Sequence, residues 1–120
     1  MAGLAFMGSH QDRNWSWLQE KLAAWQGRNF GAPALSEIAL GVGEEVGELH
    51  HAILKRTQRI RGMDDEGNFK EAAGDAIADA TIYLIQLATA LRLDFATLVH
   101  ETAKHVMARD WVSNKQDGGL

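Results

Sequence analysis

Three glutamates lie close together in one stretch of the chain and would share one side of a helix. Glu44, Glu45 and Glu48 fall within the segment Gly43–Leu49. At about 100° per residue their side chains span an arc of about 100°, with Glu48 in the middle. Like charges one turn apart disfavour a helix. We therefore expect these carboxylates either to be fully exposed to solvent or to share a compensating cation.

Two aspartates occur in a later and much more apolar stretch. Asp75 and Asp79 lie four residues apart, and no basic residue occurs between Lys70 and Arg92. Because an unpaired carboxylate is costly to bury, we expect Asp79 to have a partner. A divalent cation would serve if two adjacent helices brought all five carboxylates into one cluster. Oxygen ligands favour Mg²⁺, or Mn²⁺, over Zn²⁺.

Composition narrows the classes of function. The 120 residues carry 16 acids and 12 bases, a formal charge of −4, which argues against a nucleic-acid partner. The excess is local, since residues 44–79 hold nine acids and five bases. A lone run of glutamates is typical of a solvated surface, but the two acidic stretches together favour a metal site. The absence of cysteine excludes disulfides, thiolate metal sites and cysteine nucleophiles.

The rest of the pattern predicts an all-α chain that positions these acids. There is one proline, Pro33, and no strand-like alternation. We expect Asn68, with Glu71 three residues later, to cap the third helix and Asp94 to cap the fourth. The third helix should be the most buried. The predicted helices span about residues 12–26, 33 or 36 to 59, 69–92 and 95–111, with a break at 27–33.

The domain prediction follows from length and hydropathy. We expect a single helical-bundle domain over residues 12–112, with flexible ends at 1–11 and 113–120. The most apolar stretch, 76–91, is interrupted by Asp79 and Gln86 and is too short to cross a bilayer. We also find no targeting signal. These features predict a cytoplasmic protein with no membrane partner.

The first acidic motif resembles that of the MazG-type all-α nucleoside triphosphate pyrophosphohydrolases. That family has two adjacent glutamates and a third three residues later, which Glu44, Glu45 and Glu48 match in the run Glu-Glu-Val-Gly-Glu-Leu. The family then has an aspartate on a second helix, with another acid three residues before it and an apolar run after it.

The second motif matches this pattern in part. Asp79 stands for the aspartate and is followed by the apolar run containing Tyr83. The position three residues earlier is Ala76, and Asp75 is the substitute acid. The resemblance covers about residues 15–111.

The resemblance implies magnesium-dependent hydrolysis of a nucleoside triphosphate to its monophosphate and pyrophosphate, a reaction suited to nucleotide-pool housecleaning. It also implies a MazG-like fold completed by oligomerisation, as a homodimer or homotetramer. Attack of water on a polyanion needs cations to neutralise the phosphates. Glu45 and Glu48 would be catalytic, Glu45 as a ligand or as the base that orients water. The implied metal ligands are Glu44, Glu45, Glu48, Asp75 and Asp79.

Other residues are candidates for holding the substrate. Lys55 follows the acids along the same helix and would reach a phosphate, or would pair with Glu48. Arg109 is a second phosphate candidate. Tyr83 lies within the family-like run. Trp15, Trp25 and Asn29, with Phe30, could stack on a base and bind its edge, although each tryptophan could instead pack in the core or at an interface.

Two alternatives remain open. Glu48 and His51 form a Glu-x-x-His pair, half of the motif of di-iron carboxylate bundles. That interpretation needs a second copy, whereas the fourth helix offers Glu101 with Lys104. The other alternative is a non-catalytic helical interaction module, which Ala76 in place of an acid would favour.

Overall fold

Four helices make up most of the part of the chain that the structure describes. The computed structural model describes residues 14–114, so the flexible ends predicted for 1–11 and for most of 113–120 lie outside it. The prediction of an all-α chain is confirmed over these residues. The helices are α1 (Trp15–Phe30), α2 (Leu35–Gln58), α3 (Glu66–Ala90) and α4 (Phe95–Met107).

Helices α2 and α3 form the largest helix contact, an antiparallel hairpin closed by the short segment 59–65. Small residues line their contact, since Gly41, Ala52, Ala76 and Ala80 are buried. This lets the two helices pack closely over their length. As predicted, α3 contributes the most buried residues.

Helix α1 packs across the carboxyl half of α3 and against α4. The core there consists of Ile85, Ala88 and Phe95, with Leu18 and Leu22 of α1 packed against it. Gln19 of α1 ties these elements together, because its carboxamide donates to the carbonyl of Leu93 at 2.9 Å and accepts from the Phe95 amide at 2.9 Å.

The predicted end of α1 is wrong, because the helix continues through Gly27 to Phe30. Trp25 explains the extra turn: its ring packs edge-on against Phe30 at 5.5 Å, and its carbonyl accepts from the Asn29 side chain at 2.8 Å. The break comes instead at Gly31, whose φ of 71° favours glycine.

The predicted cap of α3 is also wrong. The helix begins at Glu66, and Asp65 caps it by accepting from the Asn68 amide at 2.8 Å. Asn68 instead donates from its side chain to the carbonyl of Gly62 at 3.2 Å, which closes the preceding turn. Aspartate and asparagine are both preferred as N-caps, and each accepts from a free backbone amide two or three residues later. The residue types alone therefore did not show whether Asp65 or Asn68 precedes the first turn.

The start of α4 is as predicted, and its end is not. Asp94 accepts from both the amide and the hydroxyl of Thr97, at 2.9 and 2.6 Å. The helix ends at Met107, four residues before the predicted Trp111, and the Asp110 carboxylate then accepts from the Val112 and Ser113 amides to form a turn. Within residues 14–114 no single helix has the length and apolarity of a membrane span; α3 and α4 pass only as a pair bent by 107°.

Candidate functional site

Carboxylates of α2 and α3 line a common cavity of about 390 Å³ beside the hairpin. The acids on its wall come from both helices, so the structure brings together residues that lie far apart in sequence. Basic groups and a histidine line the same space, toward the end where α2 meets the 59–65 segment. Its polar lining residues are Glu45, Glu48, His51, Lys55, Arg61, Asp75 and Asp79.

Glu45 stands at the centre of the acidic group. Its partial burial, and then the charges of Asp79, Glu44 and Glu48, raise the pKa of Glu45 above its ordinary value of 4.5. The leading charge comes from Asp79 on the other helix, which shows that the two acidic motifs act on each other across the hairpin. An arrangement that holds several negative charges near one carboxylate is one that a cation would stabilise.

The acids are more accessible than their apolar surroundings in the sequence suggest. Asp75 and Asp79 are exposed, so the expected burial of Asp79 is wrong for this chain. Ala76, which is small and buried, faces α2. Asp75 and Asp79 lie next to it around the helix and line the cavity. Within residues 14–114 no three acid or histidine side chains converge closely enough to hold one ion. Carboxylate oxygens are nevertheless the donor set that suits Mg²⁺.

Lys55 lies at the basic end of the cavity. Its Nζ donates to Oε1 of Gln58 at 2.9 Å, which fixes the ammonium group beside the acids rather than in contact with them. Neither of the two ion pairs found in the described residues, Lys70–Glu66 and Lys104–Glu101, involves a cavity acid. The charge of Lys55 is therefore available to an anion that enters the cavity.

A second cavity of about 620 Å³ adjoins the first and has a different character. Aromatic rings line it, from Trp25 and Phe30 of α1 and from Tyr83 of α3. Glu45 and Asp79 line both cavities. The two spaces thus meet at the acids, with aromatic walls on one side and charged groups on the other.

The position of Tyr83 depends on a glycine of α2. Gly41 is buried, and a Cβ atom there would lie only 2.6 Å from Cζ of Tyr83. No real Cβ atom tolerates that distance, so the ring lies directly on the α2 backbone. A glycine at this position is therefore what places the phenol in the wall of the aromatic cavity.

Some predicted residues lie elsewhere in the part of the chain that the structure describes. Trp15 packs against the core residue Phe95 with ring centroids 5.4 Å apart, while remaining 48% exposed itself. Asn29 uses its donor on the Trp25 carbonyl. Glu44, Trp15, Asn29 and Arg109 are absent from the lining of both cavities within residues 14–114, although the charge of Glu44 reaches Glu45.

Three polar residues of the aromatic cavity had no predicted role. They are Gln26, Glu37 and Gln86. Gln86 lies on the same side of α3 as Asp79 and interrupts an apolar run. A polar side chain within a buried helix needs a hydrogen-bond partner, so its presence in this run is the signal in the sequence. Glu37 and Gln26 carry no such signal, because Glu37 lies in the first turn of α2, where an acidic residue is ordinary, and Gln26 precedes the polar end of α1.

Comparison of this chain with protein-family models, with curated proteins and with solved structures finds no match. The resemblance to the MazG-type enzymes accordingly rests on the residues of the two acidic motifs.

Proposed function

We propose that this chain is a magnesium-dependent nucleoside triphosphate pyrophosphohydrolase of the MazG type, converting a ribo- or deoxyribonucleoside triphosphate to its monophosphate and pyrophosphate. One observation carries the proposal. Two cavities of opposite character meet at Glu45 and Asp79, one lined by acids and bases and the other by aromatic rings. A nucleotide has the same division between its phosphates and its base.

The acidic cavity suits the phosphate end of such a substrate only in the presence of cations. Glu48, Asp75 and Asp79 on its wall, together with Glu45, would hold Mg²⁺ through carboxylate oxygens, with Glu44 adding its charge from outside the wall. When bound, Mg²⁺ supplies the charge that neutralises the phosphates and lowers the pKa of a coordinated water.

The residues of the chain divide the remaining work. Glu45 lies between the two cavities, where the reacting phosphate would stand, and its carboxylate would orient the attacking water and accept its proton. Lys55 would bind the outgoing phosphates at the basic end of the cavity. Trp25 and Tyr83 would pack against the base in the aromatic cavity.

The apolar side of the α2–α3 hairpin supports association of the chain with a second copy. Helical spacing places Val42, Val46 and Ile53 of α2 across their helix from Glu44 and Glu48, and Ile77 and Leu84 of α3 across theirs from Asp75 and Asp79. On this side Ile53, Ile77 and Leu84 are each between 44% and 54% exposed. Exposed apolar side chains grouped on one side are typical of an interface, and we propose a homodimer or a homotetramer built on this side.

A panel of canonical and modified nucleoside triphosphates, incubated with the protein and Mg²⁺, tests the proposed function directly. We expect release of monophosphate and pyrophosphate in equal amounts from at least one triphosphate, with loss of turnover in EDTA. Release of orthophosphate instead would show attack at a different phosphorus.

A complete lack of turnover would favour the non-catalytic module. Ala76 is the observation that keeps this alternative, since it is buried in the wall of the acidic cavity where the family pattern has an acid. The di-iron alternative gains no support, because the position matching His51 in α4 is Lys104, paired with Glu101 at 3.2 Å.

A further inference from the structure

Gln86 is the one polar residue among the buried residues of the described chain. It is 6% exposed, yet within residues 14–114 its carboxamide makes no hydrogen bond to another group. No fully buried side-chain nitrogen or oxygen there lacks a partner. The small part of the carboxamide that is still accessible must therefore face the aromatic cavity, which Gln86 lines.

A buried carboxamide without a partner has a chemical consequence for whatever fills the cavity. Along one edge it presents one of its two N–H donors beside its carbonyl acceptor, in the same plane. An apolar occupant would strip water from both groups and leave them unpaired, which is unfavourable. A flat occupant with an adjacent donor and acceptor along its edge would satisfy both. Trp25, Phe30 and Tyr83 supply walls for its faces.

Position along α3 agrees with this chemistry. Gln86 follows Asp79 by seven residues, two helical turns, so it lies on the same side of the helix about 10 Å further along the axis. That separation is of the order of the distance between the base edge and the first phosphate of a nucleotide. A ligand with its phosphates at the acids would have its base beside Gln86.

We propose that Gln86 is a specificity-determining residue that binds the hydrogen-bonding edge of a nucleobase in the aromatic cavity. This inference rests on the proposed function for the identity of the ligand, and it assigns the recognition of the base to one side chain. A carboxamide can turn over to match either order of donor and acceptor, so the surrounding walls decide which base fits.

Binding of free nucleosides tests the inference separately from catalysis. The probes are the four ribonucleosides and the four deoxyribonucleosides, measured with the full chain in EDTA by ligand-observed NMR titration. We expect at least one nucleoside to bind, and Gln86→Leu to weaken its binding about tenfold through loss of two hydrogen bonds. Ribose alone, which lacks a base, is the control ligand. Gln86→Leu should not change how ribose interacts with the chain.

A second variant separates recognition from packing. Gln86→Glu keeps the size and one acceptor but loses the N–H donor, so it should change the order of affinities among the nucleosides. Thermal unfolding of both variants establishes that they fold. Gln86→Asn keeps the chemistry with a shorter reach and should retain the wild-type order of affinities.

The outcomes distinguish this inference from the proposed function. Nucleoside binding that depends on Gln86, without hydrolysis of any triphosphate, would support the inference and overturn the enzyme. Hydrolysis with unchanged base preference and unchanged nucleoside affinity in both Gln86→Leu and Gln86→Glu would overturn the inference and leave the enzyme. Failure of the wild-type chain to bind any nucleoside would also overturn it.

Discussion

At the scale of single residues, the acids differ in what their surroundings do to them. Glu45 is the acid most affected by the cluster, since its pKa is raised by partial burial and by three neighbouring charges. Asp94 and Asp110 accept hydrogen bonds from Thr97 and from Ser113, which lower the pKa of each below its ordinary value of 3.8. The charged form of Glu45 is thus destabilised, whereas the charged forms of Asp94 and Asp110 are stabilised. This difference separates a candidate site from a helix cap and a turn.

Replacement of single acids by their amides tests the metal site. Glu48→Gln and Asp79→Asn keep the side-chain size and remove a negative charge from exposed positions, so the fold should persist. We expect each to reduce kcat by at least about a hundredfold, because each removes a proposed ligand of the charge-neutralising cation. Turnover by either variant at the wild-type rate, with circular dichroism showing intact helices, would contradict the assignment.

The raised pKa of Glu45 predicts how the stability of the metal-free chain depends on pH. The folded chain holds a proton on Glu45 more tightly than the unfolded chain does. The free energy of unfolding should therefore fall as the pH rises from about 4.5 through the raised pKa. Asp94 and Asp110 have the opposite effect, but only near and below 3.8. Urea unfolding in EDTA at several pH values measures this slope.

Glu45→Gln is the matched control for this pH dependence. It removes the titrating group and should flatten the decline above pH 4.5 while leaving the acid side unchanged. Mg²⁺ should stabilise the wild-type chain most at the higher pH values, where the carboxylates are charged. Equal pH profiles for the wild type and Glu45→Gln would show that the cluster does not affect Glu45.

At the scale of the elements, the contact between α2 and α3 determines the site. The small residues Gly41, Ala76 and Ala80 allow the two helices to pack closely enough for their acids to interact. Tyr83 adds to this by lying on the α2 backbone at Gly41. In the sequence these are small residues within helices, and nothing marks them as contact residues. The structure shows that the Tyr83 ring lies against Gly41.

Two glycine substitutions on the same helix should have opposite effects. Gly41→Ala places a methyl group against Tyr83, so the ring or the helix must move, and we expect a loss of about 1–3 kcal/mol of stability with lower kcat/KM. Gly47→Ala meets nothing within 4 Å and should stabilise the helix by about 0.5–1 kcal/mol. Chemical denaturation measures both.

The double variant shows whether the ring is the cause. Adding Tyr83→Ala should remove most of the cost of Gly41→Ala, because the contact that opposes the methyl group is gone. Simple additivity of the two changes would instead place the effect of Gly41 in some other contact.

At the scale of the whole molecule, the main feature is the exposed apolar side of the α2–α3 hairpin. The fully buried core is small: Ile85 is the one large side chain with no exposure in the described residues. Ile53, Ile77 and Leu84 remain about half exposed on the side of the hairpin away from Glu48 and Asp79. A second copy that covers this face would complete a four-helix core from two hairpins and would leave both cavities open on the outside.

The solution mass tests this association. Light scattering at micromolar concentration should show at least a dimer, and Ile77→Glu should shift the mass toward the monomer because it buries an unpaired charge at the interface. Leu40→Glu is the matched control, since Leu40 is 73% exposed on the side of α2 that faces away from α3. A monomeric wild-type chain would contradict the proposal.

The sequence by itself determined the features that depend on near neighbours. Helix periodicity was enough to predict four helices, to place Glu45 and Glu48 on one side of α2, and to find the cap at Asp94. Tertiary structure decided what depends on residues far apart in sequence: the effect of Asp79 on Glu45, the ring of Tyr83 against Gly41, and the isolation of Gln86. The physical reason is that a helix forms through contacts three or four residues apart, whereas a cavity forms where separate helices meet.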